Sequence, residues 1–121
     1  MEAETLKCVY VAEHLRIKGY VKVGKTTDIK SRLSVLNTSV PEDFTVALIY
    51  KTDMYDELEE LVIKKLKSED LQRGTRDTKE FFECTAAHVK EVIDQVVEER
   101  TNLKGSYLTT ENIQELLIRR R

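Results

Sequence analysis

The sequence predicts an α+β domain, with a small antiparallel or mixed sheet of three to four strands flanked by helices. Three observations predict it. Short runs rich in β-branched and aromatic residues stand at 6–12 (LKCVYVA), 19–23 (GYVKV) and 44–50 (FTVALIY). Apolar residues at helical spacing fill 53–67 and 85–97. The resulting order, β-β-α-β-α-β-α-α, lacks the repeated βα units of a doubly wound parallel sheet.

The first two strands are joined through His14, Leu15 and Arg16, a short polar connection that suggests a hairpin. Thr27 or Asp28 caps a helix to about Leu36, with Ile29, Leu33 and Leu36 at i, i+4 and i+7. A loop at 37–43 holds the single proline, Pro41, and leads into the clearest strand, 44–50, apolar enough to be buried on both faces. Asp53 is the expected cap of a long helix to about Lys67. A polar loop, 68–79, precedes a short strand at 80–84, and Thr85 caps a helix whose inner stripe is Val89, Val92, Ile93, Val96 and Val97. Residues 102–107 read as a break before a last helix at about 109–119. Residues 1–100 thus form one domain, with 101–121 a loop and helix appended to it.

The chain has 121 residues, 40% hydrophobic and 35% charged with both signs mixed, which suits one modest core rather than disorder. No apolar run reaches membrane-spanning length and the acidic N-terminus lacks a signal core, so no membrane partner is expected and the chain reads as intracellular: cytoplasm or nucleus, or encoded by a virus or phage and acting within its host cell. Two cysteines, Cys8 and Cys84, and two histidines, His14 and His88, have no ligand-spaced companions. Net charge is −2, but residues 1–35 carry seven Lys/Arg against four acids. That local +3 is a basic face for phosphate or simply a mixed solvated surface.

Residues 19–26 (GYVKVGKT) match the phosphate-loop pattern G-x-x-x-x-G-K-T. That chemistry needs a glycine-lined loop whose amides wrap a phosphate. Here the intervening residues alternate like a strand, so no nucleotide cofactor is expected.

Two charges fall within apolar helix faces. At 100° per residue, Glu59 lies between Ile63 and Leu66 on the arc that also holds Met54, Leu58, Leu61 and Val62. Arg32 lies between Val35 and Leu36 on the preceding helix. Desolvated charges are costly unless paired or bound to an ion. Either the two neutralise each other as a structural pair, or they edge a cleft where arginine meets phosphate and glutamate holds a metal. Periodicity leaves both open.

A set of short motifs in fixed order bears on that choice. Cys8-Val9-Tyr10 ends a first strand in tyrosine, and Lys22-Val23-Gly24 ends a second. Gly24-Lys25-Thr26 makes a G-x-T step; Arg32-Leu33-Ser34-Val35-Leu36-Asn37 an arginine helix, with Pro41 closing its loop; Leu58-Glu59 a helical glutamate; and Glu80-Phe81-Phe82 a last strand. From about residue 6 to 98 the chain resembles the GIY-YIG nuclease superfamily, in particular the subgroup of phages, bacteria and large DNA viruses. It departs at three positions: Cys8 replaces the first glycine, Lys22 the second tyrosine, and Ile63 stands where many relatives carry histidine.

The resemblance implies an endonuclease that hydrolyses DNA phosphodiester bonds by in-line attack of an activated water. It implies Tyr10 as the base that positions or activates the water, with Lys22, Lys25 or the metal lowering its pKa. Glu59 is implied as the ligand of a single Mg²⁺ or Mn²⁺, and Arg32 as the group that stabilises charge on the phosphoryl oxygens. Gly24, Lys25, Thr26 and Asn37 are implied to line the phosphate. The alternative is a weak or inactive module of the same fold that binds nucleic acid or a protein partner, favoured by Ile63 and the acidic net charge. The last helix lies outside the resemblance; its stripe of Ile113, Leu116 and Leu117 either covers this domain or makes a homodimer.

Overall fold

The computed structural model describes residues 6–14, 18–29, 31, 44–69, 71 and 81–118, with the side chains of 117 and 118 excepted. Arg32, Asn37, Pro41 and Glu80 therefore lie outside the described residues, as does the helix expected to run to about Leu36. Its start is described: Asp28 Oδ1 accepts the Ser31 amide at 3.2 Å, so Asp28 rather than Thr27 is the capping side chain.

Among the described residues five strands form one antiparallel sheet: β1 (Cys8–His14), β2 (Tyr20–Thr26), β3 (Phe44–Lys51), β4 (Phe81–Glu83) and β5 (Ser106–Tyr107), in the order β4-β2-β1-β3-β5. Besides the helix that begins at Ile29, three helices lie wholly or mostly within the described residues: α1 (Tyr55–Ser68), α2 (Ala86–Glu99) and α3 (Thr110–Ile118), with a 3-10 turn at Thr101–Leu103. The α+β expectation holds, with one more strand than expected. β5 falls in the expected break; two residues are too few for a periodic signal, and pairing with Tyr50 and Lys51 of β3 makes them a strand.

β2 runs through Gly24, Lys25 and Thr26, each paired with β1. Ladder pairing with β1 continues through all three, so the GYVKVGKT run is a strand and not a phosphate loop.

Central β1 is buried on both sides, and its alternation sorts the core into two clusters. Val9 and Val11 join Val21, Val23 and Tyr50 beneath α1 and α2, which supply Leu58, Val62 and Leu66, and Val89, Val92, Ile93 and Val96. Burial of each such side chain contributes about 1.5–3 kcal/mol. Cys8, Tyr10 and Ala12 face the other way, toward Ile29, Phe44, Val46, Ile49 and Ile113. β3 serves both clusters, and its register shifts where Val11 pairs with Leu48 but Ala12 pairs with Val46. Ala47 is the extra residue of that bulge, and it moves the face of Phe44 and Val46 onto Ile49.

Helix α1 starts one residue later than expected and Asp53 does not cap it. Met54 is the N-cap and has no side-chain bond; it is 39% exposed rather than part of the apolar arc. Thr52 organises the entry: buried, it donates its hydroxyl to the Leu103 carbonyl at 2.9 Å and accepts the Met54 amide at 3.2 Å. Thr85 caps α2 as expected, accepting the His88 amide at 3.1 Å. In α3, Ile113 is buried in the second cluster and Leu116 packs against it, so these two residues of the stripe lie on the domain's own sheet, while the Leu117 side chain is outside the described residues. Among the described residues no helix is long and apolar enough to cross a membrane.

Candidate active site

Strand pairing decides how the candidate side chains meet. Tyr10 lies directly opposite Gly24, so both face the second cluster. The Tyr10 ring crosses onto β2 and ends over Gly24: a Cβ there would stand 2.6 Å from both Cζ and the hydroxyl oxygen. Glycine is required by this close approach, not by its backbone angles. Tyr10 is 2% exposed, and its hydroxyl is carried across to the second strand.

Lys22 and Thr26 share that face by alternation. The Lys22 ammonium lies 5.7 Å from the centre of the Phe81 ring, across the β2–β4 pair. Thr26 Oγ1 accepts the Asp28 amide at 3.0 Å, holding the turn from β2 toward the next helix.

Lys25 points the opposite way, beneath α1. Its ammonium is 2.6 Å from Asp56 Oδ1 and 4.0 Å from Glu59 Oε1. The hydrogen bond to Asp56 first, then the nearby carboxylate charges, raise the Lys25 pKa above its ordinary value. Glu59 is 9% exposed, as its place on the apolar arc required, while Asp56 is largely exposed. Both line a groove of about 470 Å³ with Lys25, Glu60, Ile63, Lys64 and Lys67. A smaller hollow of about 310 Å³, lined by Glu13, His14, Lys18 and Cys84 among others, contains none of the candidate residues.

The candidates thus occupy two faces of one strand. Tyr10, Lys22, Gly24 and Thr26 lie on one, and Lys25 with Glu59 on the other. The faces meet at the edge of β2: β4 pairs only with Tyr20, Val21 and Lys22, so among the described residues Gly24, Lys25 and Thr26 have no strand beside them on that side. The Tyr10 hydroxyl reaches this stretch at residue 24 and Glu59 reaches it at residue 25.

Among the described residues no group of three or more His, Cys, Asp or Glu side chains converges on one point. Magnesium does not need such a group; it binds through one or two carboxylates and completes its shell with water and phosphate oxygens. Asp56 and Glu59 already share one positive charge, the Lys25 ammonium, so the donor chemistry and spacing suit a cation there.

A family model matches residues 7–97, three quarters of the chain and the whole span from β1 into α2. The chain belongs to the T5orf172 domain family. This family is related to nuclease-type domains, so a nuclease-like or DNA-binding module is the class of function it supports. Neither a curated protein nor a solved structure matches the chain.

The T5orf172 match includes every candidate position and leaves β5 and α3 outside it. Asp56 is the site residue that sequence reasoning missed. In the first turn of α1 an acidic residue suits the helix dipole, and nothing in helical periodicity distinguishes one that also faces Lys25.

Proposed function

We propose that this T5orf172 domain is a GIY-YIG-type endonuclease that hydrolyses DNA phosphodiester bonds with the help of one divalent cation, Mg²⁺ or Mn²⁺. The observation that carries the reading is that a tyrosine hydroxyl and a buried glutamate reach successive residues of one strand from its two faces, along a stretch that among the described residues has no strand beside it. Glu59 would hold the cation, with Asp56 within reach. When bound, the cation supplies Lewis-acid stabilisation of the phosphoryl oxygens and helps to acidify the attacking water.

The chain's own side chains do the rest. Tyr10 Oη, fixed over Gly24, orients the water and, as the phenolate, takes up its proton. Lys25 exchanges its carboxylate partners for a phosphate oxygen when DNA enters the edge. Lys22 adds positive charge on the tyrosine face. Arg32 and Asn37, assigned by resemblance, complete the contacts to phosphate, where a guanidinium gives two parallel hydrogen bonds. The scissile P–O bond breaks as water oxygen bonds to phosphorus, and the leaving sugar oxygen takes a proton from solvent.

A second reading has its own support: Lys25 already fills the space between Asp56 and Glu59, and Ile63 replaces the histidine of many relatives. A domain so arranged binds DNA or a protein partner without cutting.

Nicking of supercoiled plasmid in Mg²⁺ or Mn²⁺ separates the two. The nuclease reading expects nicking by the purified chain, abolished in Glu59→Ala and Tyr10→Phe while both variants keep the native circular dichroism. Plasmid retention on the protein with no nicking in either metal supports the binding module instead.

A further inference from the structure

The groove beside Glu59 continues along α1 past the carboxylates. Glu60, Ile63, Lys64 and Lys67 line it at i, i+3, i+4 and i+7, one face of the helix. Its charge changes sign along the way: Asp56, Glu59 and Glu60 occupy one end, Lys64 and Lys67 the other.

The two lysines stand apart from the cations that carboxylates already hold. Lys25, Lys90 and Arg100 are each within 4.0 Å of a carboxylate. Among the described residues, Lys64 and Lys67 have no such partner. Glu60 precedes Lys64 by four residues, the spacing at which helical ion pairs form, yet the pair is not made. Both ammonium groups are exposed and stand on the wall of the groove that contains Glu59.

We infer that Lys64 and Lys67 hold phosphates of the DNA strand leading away from the cleaved bond, which gives the groove a fixed polarity. The scissile phosphate lies at the acidic, cation-binding end and its neighbours at the basic end. The inference rests on the nuclease reading and adds to it the track of the strand. From Glu59 to Lys67 the helix advances about 12 Å at 1.5 Å per residue. Phosphates of one strand follow at about 3.4 Å of axial rise, so the track spans only a few nucleotides. Two point charges on one strand read no base sequence, and the contribution is one of affinity and register.

The test is DNA binding by the full chain to a short labelled duplex without divalent metal, measured from low to moderate salt. Lys64→Ala/Lys67→Ala is compared with wild type and with Lys104→Ala, an exposed lysine beside the opposite sheet edge. Each lost phosphate contact flattens the plot of log K against log salt by about 0.9, so the double variant should lose about 1.8 from the slope and Lys104→Ala nothing. Plasmid nicking by the double variant should show raised KM with kcat nearly unchanged. Wild-type nicking together with an unchanged slope in the double variant, or equal flattening by Lys104→Ala, overturns the strand track and leaves the nuclease reading standing. Wild type that neither binds nor nicks DNA removes both.

Discussion

The hydroxyl end of Tyr10 occupies the space that a Cβ would take at Gly24, its partner across the β1–β2 ladder. The absence of a side chain at 24 lets an aromatic ring from the central strand reach the strand edge where Lys25 and Glu59 meet. A large side chain at 24 would push the hydroxyl back over β1.

Gly24→Ala is therefore expected to destabilise the fold by about 1–3 kcal/mol through overpacking and to displace the Tyr10 hydroxyl. Gly19→Ala meets no atom within 4 Å but sits at a φ of +82°, so its loss, about 1 kcal/mol, is purely backbone. Urea unfolding measures both. Nicking should fall sharply in the first and persist in the second.

Thr52 bridges β3, the start of α1 and the 3-10 turn with one hydroxyl. Thr52→Val keeps the shape but leaves the Leu103 carbonyl and the Met54 amide without this partner. A loss of about 1–3 kcal/mol is expected in chemical denaturation, with nicking unaffected at temperatures where the variant stays folded.

Arg32→Ala distinguishes a phosphate ligand from a structural ion pair. As a ligand, its loss should lower the nicking rate about 10²–10³-fold with the melting temperature nearly unchanged. A variant that loses rate only because it melts supports the ion pair, as differential scanning calorimetry beside the rate would reveal.

Alkaline pH should weaken the fold through Cys8. Burial pushes this thiol from 9.0 up to about 12. Its folded-state value is thus raised, and its contribution is complete below about pH 9 and lost as pH climbs toward 12, because the unfolded chain ionises first. The expected slope is about 1.4 kcal/mol per pH unit above 9. Cys84, raised to about 11 by burial and then by Glu69, acts in the same direction over a narrower span, and Tyr107 adds to it above pH 10. Urea midpoints from pH 8 to 10.5 should fall less steeply in Cys8→Ala than in wild type.

What was legible in the sequence was what local chemistry decides. Burial of Glu59 followed from its place among Leu58, Val62 and Leu66, and the Thr85 cap from its position before an apolar stripe. Strand alternation in GYVKV was enough to reject the phosphate loop. What stayed hidden depends on neighbours distant in sequence. The β3 bulge at Ala47 exists because Val46 and Ile49 must face one cluster while Leu48 and Tyr50 face the other. β5 exists only as an addition to β3. Asp56 became part of the site only when α1 was laid over Lys25. The division of Tyr10 and Glu59 between two faces of β2 likewise needed the register, not the motifs.

The most direct measurement is a crystal of the chain with Mn²⁺ and a short duplex, read by anomalous scattering. The account predicts one peak at about 2.0–2.2 Å from a Glu59 carboxylate oxygen, sharing a phosphate oxygen that also lies beside Lys25 and the Tyr10 hydroxyl. Manganese bound elsewhere, or a phosphate backbone that passes the edge of β2 without approaching Glu59, contradicts it.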